Sequence, residues 1–456
     1  MDELSPILMI SAAITLLAIM AVGVVSGRRV KNAADFDTGG RSSGSLLVTG
    51  AIVGTLVGGS STIGTAQMAF RFGLSAWWFT LGAALGCLLL GFWLCGPLRA
   101  SGHATIQGII RQEYGEGAGV VTSVLTSVGI ILNIVAQILS ANALLGTIFG
   151  LSPAWCGGIT ILIMACYVLF GGIRGTSVLG IIKLVLLYIG AAACGGHALH
   201  LAGGGAALLS VLPRAQYFNL FARGPGIDLG AGLSACLGIV STQTYVQAIL
   251  SAKTDAAVKK GALFSVLLTP PIGLLSIFVG YYMRIAFPEM DAAQAFPQFI
   301  LSCMPPAFAG VVLATLLIAV VGTGSGMALG FAAIFTNDIY KRFINRQAGG
   351  RRQLAVSRAA IMAALVLSLL FTNGNLKSAI LTWGFLSMGL RAVVLFLPMC
   401  AALYFPGRYS GACVMGASSL GLLAMILGSL LPLPFDSLLL GLAVCAFAMQ
   451  MGRKQL

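Results

Sequence analysis

Charge is scarce in this chain. Only 8% of its 456 residues are Asp, Glu, Lys or Arg, and twelve are acidic. A water-soluble protein of this length needs a far more charged surface, so composition excludes a soluble globular domain. Histidine is nearly absent: His103, His197 and His200 are the only three. They form neither an HExxH helix nor a Cys/His ligand set. The ten cysteines lie scattered through apolar stretches, with no metal spacing and no secreted disulfide framework. Small buried residue is their default role. No GxxxxGK[ST] loop occurs, so no P-loop ATPase is present. Asp228, Glu289, Asp291, Asp338 and Asp436 fall at the ends of apolar stretches, and no acidic residue lies deep within one. A carboxylate proton relay is therefore not expected. Neither an enzyme nor a resident cofactor finds its residues here.

Apolar sequence is abundant instead. Hydrophobic residues make up 58% of the chain and the mean hydropathy is +0.99. Runs long enough to cross a bilayer recur from end to end, predicting an all-α polytopic membrane protein in a single transporter-like domain. Thirteen transmembrane helices are expected, centred in 4–25, 46–70, 76–96, 122–148, 155–171, 176–197, 229–250, 262–284, 307–335, 355–371, 376–402, 409–431 and 435–451. The first follows Asp2 and Glu3 and is long, so it reads as a retained span rather than a signal peptide.

With the N-terminus outside, nineteen of the 26 basic residues fall in inner loops: Arg28, Arg29, Lys31, Arg41, Arg99, Arg111, Arg174, Lys253, Lys259, Lys260, Lys341, Arg342, Arg346, Arg351, Arg352, Arg358, Arg408, Arg453 and Lys454. Four fall outside: Arg71, Arg214, Arg223 and Arg284. This asymmetry predicts a protein of the cell inner or plasma membrane with a cytoplasmic C-terminus. It also explains the formal charge of +14 without nucleic acid. The expected partners are lipid and a small solute, in a monomer or weak homo-oligomer. Between residues 97 and 121, ATIQGIIRQEYG reads as an amphipathic segment at the inner interface. The outer loop 198–228 has room for a short lid helix or a plain connector.

The second span carries the strongest local signal. Leu46 to Gly73 has the length of a membrane helix, but Gly54, Gly58, Gly59 and Gly64 interrupt it and Thr55, Ser60, Ser61 and Thr62 add hydroxyls. Each glycine costs a helix about 1 kcal/mol against alanine. The pattern fits a helix opened at mid-membrane, where free carbonyls and hydroxyls receive a cation or polar solute. It also fits a small-residue packing face. Span 9 repeats the theme, with Gly322, Gly324 and Gly326 alternating with Thr323 and Ser325, and a second interruption is expected there. Span 7 holds a polar knot, STQTYVQ, from Ser241 to Gln247. Spans 2 and 7 lie five apart, the spacing of two five-helix repeats. An odd repeat length makes the pair inverted. The expected organisation is an additional helix at 4–25, repeats at 46–200 and 229–402 with broken helices 2 and 7, and two additional helices at 409–451.

Three basic residues fall inside spans: Lys183, Lys377 and Arg391. Lys377, near an outer end, can snorkel, and Arg391, eight residues into the inner part of span 11, can reach the inner interface with more difficulty. Lys183 lies about two turns into span 6, where a charge is costly and faces the protein interior, unless it too snorkels. Ser60, Ser61, Asn133, Gln137, Thr242, Gln243 and Tyr245 form the candidate solute pocket. Asn133 and Gln137 share one helix face. All seven are uncharged, which suits hydrogen bonding to a small polar solute; the structural alternative is that they bond neighbouring helices. Trp77, Trp78 and Trp383 read as interfacial anchors or as caps on that cavity.

Four stretches resemble the sodium/solute symporter family, to which proline, sugar and sialic acid symporters belong. They are GGSSTIG with the following RFGLSAWW, YVLFGGIRGTSVLGIIK at 167–183, STQTYVQAILSAK at 241–253 and AVVGTGSGMALGFAAIFTNDIYKRF at 319–343. The resemblance extends from about residue 5 to 450 and implies the leucine-transporter-like inverted-repeat fold. It also implies a sodium site between spans 2 and 9, made by carbonyls of Gly54, Val57 and Ala319 with hydroxyl positions at Gly322 and Thr323. Two departures stand out. Gly322 has no hydroxyl, and Gly180 replaces an aspartate that the family often has near this site. Three residues beyond Gly180, in place of a frequent glutamine, stands Lys183. A second sodium site, expected in some members, loses oxygens at Gly180 and Gly326, while Thr323 and Ser325 keep theirs.

The leading expectation is secondary active import of a small polar or organic solute by cation-coupled symport. Lys183, Thr323, Ser325, Gly54, Val57 and Ala319 are the ion-coupling residues. The Lys183 ammonium would take the place of the ion, with its proton coming and going during the cycle. Sodium held by Gly54, Val57, Ala319 and Thr323 is the alternative. A membrane receptor or sensor on a transporter scaffold is a different class, but the inner segments are too short for a signalling domain.

Overall fold

The computed structural model describes residues 5–27, 42–169, 172–375 and 379–453. The basic residues Arg28, Arg29, Lys31, Arg41, Lys377 and Lys454 lie outside them, as does the side chain of Arg174. Among the described residues there is no named strand. Two isolated bridges, Ser43 with Ala252 and Tyr409 with Arg453, are the extended pairings.

The helices run in order as α1 (Pro6–Gly27), α2 (Ser45–Leu56), α3 (Thr65–Phe72), α4 (Trp78–Leu88), α5 (Ile106–Tyr114), α6 (Glu116–Phe149), α7 (Pro153–Leu169), α8 (Gly172–Leu201), α9 (Pro225–Val240), α10 (Gln243–Leu250), α11 (Asp255–Ala286), α12 (Pro306–Ile334), α13 (Gly350–Asn373), α14 (Ile380–Tyr404), α15 (Gly411–Ser429) and α16 (Ser437–Met451). Eight described helical stretches are long and apolar enough to cross a membrane, nine when the bent pair α9 and α10 counts as one span, and four shorter apolar helices accompany them. Ile10, Leu17, Leu267, Leu370 and Phe447 face outward. Such an apolar exterior needs hydrocarbon around it. The chain is therefore an all-helical membrane protein.

The centre belongs to α12 and α14. Their apolar windows are 83% and 72% buried, against 33% for the peripheral α13. α5 supplies the amphipathic segment expected near residue 106, and two short helices, Gly204–Val211 and Arg214–Tyr217, lie in the long 198–228 connection. Trp77 donates to the Pro270 carbonyl at 2.9 Å and Trp78 to that of Leu220 at 2.7 Å. Both indoles therefore tie helices and loop together.

The second span is broken. α2 stops at Leu56, and Val57 leaves the helical region at φ −87°, ψ 96°. The chain re-enters helix through a π-turn at Ser60–Gly64 before α3. Span 7 bends by 45° between α9 and α10, at Ser241 and Thr242. The ninth span corrects its expectation, because α12 runs unbroken through Gly322, Gly324 and Gly326. Its glycines are contact points. A Cβ at Gly324 would lie 2.4 Å from the Met164 methyl, and one at Gly326 would lie 2.5 Å from Thr55 Oγ1. Close packing offsets their low helix propensity.

A second glycine contact sets the position of α8. A Cβ on Gly54 would lie 2.6 Å from Gly180 Cα, and one on Gly180 only 2.1 Å from the Gly50 carbonyl oxygen. No side chain fits between α2 and α8 here. The crossing carries Lys183, about one turn further along α8, to the end of α2.

Candidate cation and solute site

The end of α2 is short of hydrogen-bond donors. A helix leaves its last carbonyls unpaired and carries partial negative charge at that end. The Val57 N–H reaches the Val53 carbonyl, and the break then removes the residues that would have served Gly54. Lys183 fills that need. Its ammonium donates to the Gly54 carbonyl in a short contact, to the Ala319 carbonyl at 3.0 Å and to Thr323 Oγ1 at 3.4 Å. All three ammonium protons are thereby directed. Lys183 is 1% exposed, so it does not snorkel.

The two departures at Gly322 and Gly180 explain how the lysine fits. A Cβ at Gly322 would lie 3.3 Å from Lys183 Nζ and 3.2 Å from the Tyr167 hydroxyl. The missing hydroxyl position is therefore the room that the ammonium uses. The missing carboxylate at Gly180 is a backbone contact with α2. Tyr167, which borders this space, has no sequence signal of its own beyond lying in YVLFGG.

Glutamine supports the break itself. Gln137 Oε1 accepts from the Gly59 N–H at 2.9 Å, and its amide donates to Ser60 Oγ at 3.2 Å. Ser61 Oγ accepts from the Gly58 N–H at 2.9 Å. These bonds satisfy the orphan donors that start the second half-helix. Ser60, Ser61 and Gln137 thus come together as expected, largely spent on one another and on backbone.

The other predicted residues separate. Gln243 donates to the Ala104 carbonyl at 2.8 Å and accepts from the Ile106 N–H at 3.1 Å. Its amide pins the start of α5, leaving little for a solute. Thr242, at the bend, donates to the Gly238 carbonyl of α9. Ser325 donates to the Met164 carbonyl at 2.9 Å, toward α7 and away from Lys183. Asn133 Oδ1 and the Tyr245 hydroxyl are buried without partners.

Arg391 corrects its expectation. It is 0% exposed and reaches no interface. Its guanidinium donates to the Ser387 carbonyl at 2.9 Å and to Ser387 Oγ at 3.0 Å, with Met327 Sδ 3.6 Å away. Position along a span does not reveal which way a side chain turns. At one end of the bundle Asp338, also buried, pairs with Arg111 and accepts from Thr105 at 3.1 Å. Arg342 pairs with Glu116. These bonds tie α5, α6 and the helical end after α12 into one seal.

A model of the sodium:solute symporter family matches residues 36–414. The chain belongs to the sodium:solute symporter family. This symporter is 24% identical over 460 residues to "Uncharacterized symporter YwcA" of Bacillus subtilis (strain 168), covering 93% of the chain and 87% of that protein. It superposes with a TM-score of 0.85 on a Na+-coupled sialic acid symporter solved in a substrate-bound outward-open state, at 17% identity over the whole of both chains. Mhp1, a nucleobase-cation-symport-1 family transporter closed around bromovinylhydantoin, gives a TM-score of 0.60 at 15% identity, covering 92% and 95% of the two chains. These likenesses establish the leucine-transporter-like fold. The symporter is thus a solute transporter of the cell membrane and not an enzyme.

Proposed function

We propose that this symporter imports a small polar or organic solute by alternating access, with a proton on Lys183 doing the work that the family assigns to sodium. The observation that carries the reading is the triple contact of the ammonium with Gly54, Ala319 and Thr323. Two carbonyls and the hydroxyl that a sodium ion would need are already engaged by a fixed charge. A tethered cation cannot leave with the solute, but its proton can. With the proton bound, the ammonium joins α2, α8 and α12. Without it, one strong donor set is lost and the helices are free to separate. In this reading the chain has thirteen spans, an outer N-terminus and a cytoplasmic C-terminus. The repeats at 46–200 and 229–402 move against each other. The long helices, the bent pair and the four shorter apolar helices support that count, and the broken second span supports the rocking point.

Family membership favours the alternative, sodium bound by Gly54, Val57, Ala319 and Thr323. The two readings differ in a simple binding measurement. A ligand that binds only the folded state raises the unfolding midpoint with its concentration. The expected result is that sodium chloride stabilises the purified protein no more than choline chloride at equal ionic strength. A saturable, sodium-specific rise in the midpoint would contradict the Lys183 assignment.

A further inference from the structure

A cavity of about 180 Å³ lies where α6, the start of α7, the start of α14 and the turn at Asp291 meet. Asp291 belongs to the connection between α11 and α12, which is outer in the orientation proposed above. On α6, Leu139, Asn142 and Gly146 line the cavity at helical spacing. A cavity of about 150 Å³ admits benzene, so this one has room for a solute of at least about six heavy atoms. Asp291 and Gln294 are exposed, while Leu139 and Ile380 are buried. The cavity therefore runs from the surface inward.

Its polar groups favour one kind of ligand. Both polar atoms of the Asn142 amide are buried without a partner. A buried amide left unpaired is costly and calls for a ligand or a water. Asp291 accepts the Ala293 N–H at 3.0 Å through Oδ1, capping the short turn Ala292–Gln294. Among the described residues no basic side chain pairs with Asp291, and no Lys, Arg or His lines the cavity. Thr147, also on the wall, spends its hydroxyl proton on the Ala143 carbonyl at 2.6 Å, which leaves its oxygen as an acceptor. A carboxylate, further acceptor oxygens and no cation select a donor-rich cation.

The cavity stands one side chain away from the break in span 2. Ile380 forms part of its wall. A Cβ at Gly64, the last residue of the π-turn, would lie 2.9 Å from Ile380 Cγ2. The Ile380 N–H donates to Gln67 Oε1 of α3 at 3.0 Å. On α6, Ser140 follows Leu139 and meets the break itself, since a Cβ at Gly59 would lie 2.3 Å from Ser140 Oγ. α6 and α14 thus carry both the cavity wall and the contacts to the break.

We infer that this cavity is an entry subsite for a small solute that carries a protonated amine. The amine donates to the Asp291 carboxylate and to the acceptor oxygens of Asn142 and Thr147. The body of the solute packs on Leu139 and Ile380. Displacement of Ile380 from Gly64 then opens the way to the break. This assignment rests on the solute-transport reading, but not on which ion drives it.

The test uses the purified full-length chain and a panel of matched probes at neutral pH. Propylamine, ethanolamine, cyclohexylamine and benzylamine hydrochlorides are compared with propanol, ethylene glycol, cyclohexanol and benzyl alcohol in potassium chloride of equal ionic strength. The readout is the unfolding midpoint. At least one amine should stabilise the parent saturably while its alcohol does not. Tetramethylammonium chloride, a cation without an N–H, should not match it. Asp291→Asn keeps a turn-capping side chain and loses the charge, so the same amine should bind about tenfold or more weakly. Asn142→Leu removes the unpaired amide. Without ligand it should be no less stable than the parent, yet it should lose several-fold in amine affinity, which keeps the proposal testable if Asp291→Asn does not fold. Stabilisation by no amine, as expected of a cavity that holds water only, would overturn the proposal. Equal stabilisation by amine and alcohol, or affinity unchanged in both variants, would overturn it as well. In proteoliposomes the stabilising amine should be taken up, with a raised KM and a little-changed maximal rate in Asp291→Asn; an amine that binds but is not taken up overturns the entry role. Accumulation of a neutral solute with the same KM in parent and Asp291→Asn would leave the transport reading standing while the amine subsite falls.

Discussion

Replacing Lys183 by glutamine should abolish solute accumulation driven by a pH gradient while leaving solute exchange across the membrane measurable. Glutamine is shorter and uncharged. It can donate to one of the three oxygens that the ammonium engages, but it carries no proton that can come and go. A cation at a helix C-terminus contributes up to ~2 kcal/mol in a partly buried setting, and a lost charge-assisted bond to a carbonyl costs about 1.5–3 kcal/mol. The end of α2 would lose both. The joined state of α2, α8 and α12 should therefore become much rarer, and its population should stop following pH. Counterflow of labelled solute needs only that the site face each side in turn, so it should survive at a reduced rate. Lys183→Gln protein that still concentrates solute against a gradient as well as the parent would remove the lysine from the coupling step.

Gly180→Ala should be nearly as damaging, through geometry alone. The added methyl would stand 2.1 Å from the Gly50 oxygen and 3.1 Å from Gly54 Cα. These are backbone atoms, so whole helices must part. Overpacking of this kind costs about 1–3 kcal/mol, occasionally more. Parting α2 from α8 also draws Lys183 away from the Gly54 carbonyl, so uptake should fall further than stability does. Gly196→Ala on the same helix is the control, because nothing lies within 4 Å of its added methyl. Paired unfolding midpoints and uptake rates check the claim. Indistinguishable behaviour of the two variants would show that the contact is not tight in the working protein.

The same glycines show how far residues alone could be read. GGSSTIG announced a break, and a break is there, because Gln137 and Ser61 stand ready to satisfy the freed N–H groups. GTGSG carried much the same signal in span 9, yet α12 is continuous. Its glycines meet Met164 and Thr55 on other helices. A glycine run is ambiguous between opening a helix and admitting a neighbour. In span 9 the partners that decide lie more than a hundred residues away. Lys183 was legible in part: the cost of a buried charge favoured the interior over snorkelling toward the inner face, and the two missing side chains at Gly180 and Gly322 marked the space beside it. Arg391 was not legible, since its place in the inner part of span 11 left the inner interface within reach of a long stem on paper. Gln243 shared a polar stretch with Tyr245, but they stand two residues apart, about 200° of helix rotation, which sets them on nearly opposite faces. Gln243 turns toward α5, and Tyr245 is buried in the core. Length and hydropathy announced an all-helical membrane protein, because chain reach against bilayer thickness is a one-dimensional constraint. The solute pocket depends on side-chain direction in three dimensions.

One measurement addresses the Lys183 account most directly: solute uptake into proteoliposomes with the two gradients imposed separately. In sodium-free buffer, an inwardly directed proton gradient should drive accumulation in the parent and not in Lys183→Gln. A sodium gradient at equal pH on both sides should drive none in either. Accumulation that strictly requires sodium in the parent, and persists undiminished in Lys183→Gln, would contradict the account.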